Sequence, residues 1–112
     1  MVVLLAGWML AARPAEAHAI LLRSTPADGA NVVAGPADLV LNFNSRIDAA
    51  RSRITLAGPD GTERALTIAA PAADELAAHA ALAAGAWVLR WQVLAVDGHI
   101  TRGEVRFTVA DH

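Results

Sequence analysis

The sequence predicts an all-β domain, a sandwich or small barrel of short antiparallel strands, and three observations carry that expectation. Apolar residues alternate with polar ones in run after run. Turn signals rich in proline and glycine separate the runs. The stretch they occupy, about 95 of the 112 residues, suffices for one small sandwich and not for two domains.

Taken in order, Ile20, Leu22 and Ser24 alternate with Leu21 and Arg23, and Leu39, Leu41 and Phe43 alternate with Val40, Asn42 and Asn44. Ile54 and Leu56 alternate with Arg53 and Thr55. Trp87, Leu89, Trp91 and Val93 alternate with Val88, Arg90 and Gln92, and Val105, Phe107 and Val109 with Glu104, Arg106 and Thr108. Successive strand side chains point to opposite faces, so a period of two gives each run one apolar face. Thr25-Pro26-Ala27-Asp28-Gly29, Gly35-Pro36, Gly58-Pro59-Asp60-Gly61 and Asp97-Gly98 punctuate them, combining the fixed φ of proline with the positive φ open to glycine. Residues 69–84 are ambiguous. Their alanine content favours helix intrinsically, whereas a small sandwich would use them as a strand or an irregular connection. No internal repeat is present.

The first residues form a separate unit. Residues 2–12 are an apolar run too short to span a bilayer, broken by Arg13-Pro14 and followed by Ala15-Glu16-Ala17, an A-x-A site for signal peptidase. We expect residues 1–17 to be a cleaved signal peptide and residues 18–112 the mature, exported domain, with His18 as its new N-terminus. No Lys or Arg precedes the apolar run, so the basic start of such a signal is missing. The alternative is a buried N-terminal helix or a retained anchor.

Composition excludes several functions. The nine basic residues are all arginine and are scattered, and the net charge is −2, so nothing marks a nucleic-acid surface. Cysteine is absent, which removes disulfides and thiolate metal sites alike. Ser24, Ser45 and Ser52 lack the His/Asp pattern that activates a nucleophile, and no glycine-rich phosphate loop follows a strand, so catalysis has little support.

A metal site has more. An N-terminal histidine offers its α-amine and its imidazole Nδ1 to one ion in a six-membered chelate. The amine ordinarily titrates at about 7.7–8.0, so a metal can displace its proton near neutral pH. Two nitrogens held cis suit a tetragonal ion, and Cu(II) leads the divalent affinity order. Asp97-Gly98-His99 supplies the rest: in an extended chain positions i and i+2 project to one side, and Gly98 lets the backbone bend. His18, Asp97 and His99 then give three nitrogens and one oxygen. The competing reading of Asp97-Gly98 is a plain hairpin turn with a solvated Asp–His pair. His79 has no ligand-type neighbour in sequence, and His112 is the last residue, where fraying is usual; Trp87 and Trp91 read as core; Arg46, Arg51 and Arg53 read as a solvated strand edge.

The mature chain resembles the CopC family of periplasmic copper-binding proteins over nearly all its length. The resemblance rests on His18 followed by Ser24-Thr25-Pro26-Ala27-Asp28-Gly29, on the alternating strand 36–43 ending in Phe43, on residues 82–93, and on Val96-Asp97-Gly98-His99 followed by Gly103-Glu104-Val105-Arg106-Phe107. It implies a Greek-key β-sandwich or barrel, immunoglobulin-like, of about seven strands. It further implies one Cu(II) per chain held by His18, Asp97 and His99, a periplasmic location, and a role in copper resistance, storage or delivery beside an inner-membrane copper transporter of the CopD type. Both methionines, Met1 and Met9, lie in the signal, so the mature domain has no thioether site for Cu(I). Phe43-Asn44-Ser45-Arg46 carries no acidic residue where many members have one. The readings weighed against a non-enzymatic Cu(II) carrier are a metal-free immunoglobulin-like interaction module and an oxidative copper enzyme.

Overall fold

The computed structural model describes residues 19–111, and every regular element in them is a strand. In chain order these are β1 (Leu21–Thr25), β2 (Asn31–Val33), β3 (Gly35–Phe43), β4 (Ile47–Ala57), β5 (Glu63–Ala65), β6 (Glu75–Leu82), β7 (Gly85–Ala95) and β8 (Ile100–Ala110). The predicted signal, residues 1–17, and the histidines His18 and His112 lie outside the described residues. No described helix is long and apolar enough to cross a membrane.

Two sheets form, one in the order β1-β3-β6 and one in the order β2-β8-β7-β4-β5. Every connection passes from one sheet to the other except the β4–β5 and β7–β8 hairpins, the interleaving of a Greek-key sandwich and not of a meander. The expected antiparallel pairing holds for all strand pairs but one. β2 runs parallel to β8, Asn31 beside Thr108 and Val33 beside Ala110. The loop before β2 brings it there: the Gly29 amide donates to the Arg106 carbonyl, the Asp28 carboxylate accepts from the Arg106 amide, and the Thr108 amide donates to the Ala30 carbonyl.

The alternation read from the sequence decides the core. Leu39, Leu41, Phe43 and Leu76 from the smaller sheet meet Ile54, Leu56, Leu89, Val93 and Val105 from the larger, all at most 1% exposed. Burying such a side chain stabilises by about 1.5–3 kcal/mol relative to leaving it in water. Trp87 and Trp91 are core, as expected, at 7% and 8% exposure. The Trp87 indole N–H donates to the Ala83 carbonyl at 2.8 Å, whereas that of Trp91 is buried without a partner. Trp91 instead spans the two sheets. Its ring meets Phe43 edge-on, with centroids 5.2 Å apart, and lies over Gly103, its partner on β8. A Cβ at position 103 would fall 2.4 Å from Trp91 Cζ2.

Residues 69–84 resolve as strand where it matters. β6 pairs with β3 from Leu82 opposite Gly35 to Glu75 opposite Asn42, and Leu76, Ala78 and Leu82 turn inward. Tertiary burial at a period of two overrides the helical preference of alanine. In β4 the register shifts between Asp48 and Arg53. The Ser52 hydroxyl fills that gap, donating to the Asp48 carbonyl and accepting from the Leu94 amide.

The outward face of the larger sheet is charged. Arg90 pairs with Glu63 at 2.6 Å and Glu104 at 2.8 Å, and Arg106 joins Glu104 at 2.8 Å. Hydrogen bonds from Arg90 and then Arg106 hold the Glu104 carboxyl below its ordinary range. A carboxyl depressed in the folded state adds stability above its unfolded value and loses it as pH falls through the folded one. Replacing Glu104 by glutamine is therefore expected to flatten the acid limb of the stability–pH curve while leaving the slope near neutrality unchanged, as read by chemical denaturation. Gly103→Ala is expected to cost about 1–3 kcal/mol, because the new methyl collides with the Trp91 ring. Calorimetry would register this as a lower melting temperature, about 4–8 °C per kcal/mol for a domain of this size.

Candidate metal centre

The hairpin joining β7 to β8 brings two of the three predicted ligands together. The Gly98 amide donates to the Ala95 carbonyl and the Ala95 amide to the His99 carbonyl, both at 2.9 Å. Gly98 sits at φ +92°, a conformation that an L side chain adopts only with strain. Asp97 and His99 therefore converge through a turn and not along an extended strand, which corrects the geometric reason given for the pair while keeping the pair. The structure shows the hairpin turn with its Asp–His pair, the Asp97 carboxylate aimed at the His99 imidazole.

Asp97 holds His99 twice. Its Oδ1 accepts the His99 amide at 3.0 Å and its Oδ2 lies 2.7 Å from His99 Nδ1. A carboxylate at Nδ1 favours the tautomer protonated there, which leaves Nε2 with the lone pair a metal needs. The Asp97 side chain is 23% exposed and that of His99 61%, so the ring stands at the surface on a carboxylate that is mostly covered.

A second arrangement fixes the start of the described chain against this hairpin. The Ile20 amide donates to Asn44 Oδ1 at 2.7 Å, and the Asn44 amide donates back to the Ile20 carbonyl at 3.0 Å. The Thr101 hydroxyl, two residues beyond His99, donates to the Ala19 carbonyl at 2.9 Å. Ala19 itself is 1% exposed. The Val96 amide reaches the Arg46 carbonyl at 3.3 Å, tying the hairpin to the β3–β4 connection that carries Asn44. Asn44, in the segment 43–46 that carries no acidic residue, serves as a backbone clamp. Sequence reasoning missed that role, and Thr101 with it. An amide side chain directly after a strand, able both to donate and to accept, was the available signal for Asn44; Thr101 had none.

His18 lies outside the described residues. Among the described residues no group of three or more His, Cys, Asp or Glu stands close enough to hold a metal ion. The remaining histidine in this part of the chain, His79, has a partner that sequence did not reveal. Its Nδ1 is 2.6 Å from Asp38 across the β3–β6 pairing, with both side chains at least three-quarters exposed. It is a solvated cross-strand pair on the outward face of the smaller sheet. Ser24 and Ser52 donate to backbone carbonyls of Pro26 and Asp48.

The model of the CopC domain matches residues 21–110. Protein YobA of Escherichia coli K12 is 32% identical over 105 residues, covering 83% of this chain and 79% of that protein. The crystal structure of CopC from Methylosinus trichosporium OB3b superposes with a TM-score of 0.72 at 31% identity, covering 82% of this chain and 93% of that one. PcoC, a methionine-rich copper resistance protein from Escherichia coli, shares the fold, with a TM-score of 0.70 at 22% identity over 84% of this chain and all of PcoC. The chain belongs to the CopC family.

If the clamp fixes the segment as described, Asn44→Ala is expected to release the Ile20 amide and cost about 1 kcal/mol for the lost hydrogen bonding. Hydrogen exchange at Ile20 reads the release directly. Thr101→Val, close in shape, is expected to act in the same direction at the Ala19 carbonyl.

Proposed function

We propose that the mature chain, beginning at His18, is a non-enzymatic periplasmic protein that binds one Cu(II) ion through the α-amine and imidazole of His18, the Asp97 carboxylate and His99 Nε2. The observation that carries this reading is the placement of Ala19. Its carbonyl is tied to Thr101, two residues from His99, and residue 18 is joined to it by one peptide bond, about 3.8 Å between Cα atoms. That attachment of Ala19 beside the hairpin supports a free amine on residue 18 as a ligand together with the His99 imidazole.

The proposed donor set supports Cu(II). Nitrogen and carboxylate oxygen in a tetragonal arrangement suit Cu(II), and Cu(I) prefers thiolate or thioether. Residues 18–112 contain neither Cys nor Met. In this the chain departs from PcoC, a methionine-rich protein. The copper connection of PcoC, and membership of the family that CopC of M. trichosporium represents, support copper as the cargo. Copper resistance through buffering or delivery, beside a membrane transporter of the CopD type, is the biological setting this reading gives it. Export rests on the apolar run 2–12 and the Ala15-Glu16-Ala17 site.

Mass spectrometry of the exported protein is expected to find His18 as the first residue; an intact residue 17 in the mature protein removes the amine ligand. One residue added before His18 is expected to weaken Cu(II) binding by orders of magnitude in competition titration, and unchanged affinity would sink the chelate. His99→Ala and Asp97→Ala are each expected to alter the electron paramagnetic resonance spectrum of the Cu(II) protein. A variant whose spectrum matches the parent strikes that residue from the ligand set.

A further inference from the structure

The outward face of the β2-β8-β7-β4-β5 sheet carries a second feature, unrelated to copper. Arg53 on β4 and Arg102 on β8 flank Gln92 on β7, the three standing opposite one another in the pairing of the strands. Both guanidinium groups turn to the same neutral oxygen. Arg102 Nε donates to Gln92 Oε1 at 2.7 Å and Arg53 Nη2 to the same atom at 3.4 Å. Among the described residues neither arginine has a carboxylate within ion-pair distance, whereas the neighbouring Arg90 and Arg106 are committed to Glu63 and Glu104. Two like charges thus converge on an acceptor that cancels neither. Together with Arg90, Glu63 and Glu104 they line a depression of about 360 Å³.

The wider charge distribution points the same way. This face bears five arginines, Arg51, Arg53, Arg90, Arg102 and Arg106, against three carboxylates, Asp48, Glu63 and Glu104. The rest of residues 19–111 has three arginines against seven carboxylates. The face is therefore cationic on a molecule that is anionic elsewhere. Guanidinium is the planar, multiply donating cation that recognises a carboxylate through paired hydrogen bonds.

From this geometry we infer that Arg53 and Arg102, bridged by Gln92, form a carboxylate-binding fork that docks an acidic segment of a partner protein. The depression is open and shallow, so a free small carboxylate would stay hydrated and screened there. A carboxylate carried on a polypeptide brings neighbouring atoms that cover the fork and exclude water. Charge complementarity of this kind acts on encounter rate and orientation more than on raw affinity.

The test is a nuclear magnetic resonance titration of the exported protein at low salt with an octapeptide of alternating Glu and Gly. The amides of Arg53, Gln92 and Arg102 are expected to shift, and the peptide with Gln in place of Glu to bind at least about tenfold more weakly. Arg53→Gln combined with Arg102→Gln is expected to weaken the Glu peptide about tenfold, while Arg23→Gln, off this face, leaves it unchanged. Arg53→Lys with Arg102→Lys keeps the charge but loses the planar fork, and is expected to bind several-fold more weakly than the parent. Equal binding of the Glu and Gln peptides, or parental affinity in the glutamine or the lysine double variant, overturns the fork. Succinate matching the peptide at equal carboxylate concentration overturns a polypeptide as the occupant. Sedimentation showing a dimer that the glutamine double variant abolishes would put a second copy of this chain in its place.

Discussion

The seating of Trp91 between Phe43 and Gly103 is the constraint on which the site end of the molecule depends. An indole is a large flat body, and here it touches both sheets at once: its neighbour across the core is Phe43, and beneath it the backbone of β8 is bare at Gly103. Close packing of this sort leaves little freedom for one sheet to slide on the other. Phe43 is the last residue of β3 and delivers Asn44. Gly103 lies two residues from Thr101. With Trp91 in place, the two side chains that grip Ala19 and Ile20 stand at fixed positions on opposite sheets. The indole N–H goes without a partner, a cost of about 1–3 kcal/mol that the buried area of the ring must offset.

Much of the fold was legible because the information is local. In β3, β4, β7 and β8, alternation alone marks which residues face the core, and the burial of Leu39, Leu41, Leu89 and Val105 follows it residue by residue. β2 and β5 were not legible. Each has three residues, fewer than two periods, and β2 is a strand only because β8 lies beside it. β6 stood between, since alanine reports neither period strongly.

The site divides along the same line. Asp97 and His99 are two residues apart, and one glycine turn suffices to join them, so their contact was legible in the sequence. The grip on Ala19 and Ile20 is a matter of backbone carbonyls and amides meeting residues 24 and 82 positions away, and nothing in the identity of Ala19 or Ile20 announces it. Asp38 and His79 escaped for the same reason, since their contact exists only once the β3–β6 register is set. The identity of a ligand is chemical and travels with its residue; the scaffold that presents it is topological.

That distance along the chain has a kinetic meaning. The bond from Thr101 to Ala19 closes a loop of almost the whole described chain, and closing a long loop costs entropy that only the contacts inside it can return. Contacts of such separation form late in folding, and folds rich in them form slowly. A chain caught part-way, with the β7–β8 hairpin made and the rest unfolded, would already hold Asp97 against His99 while its N-terminus wandered. Ala19 and Thr101 meet only in the finished molecule, so their hydrogen bond is a mark of completed folding.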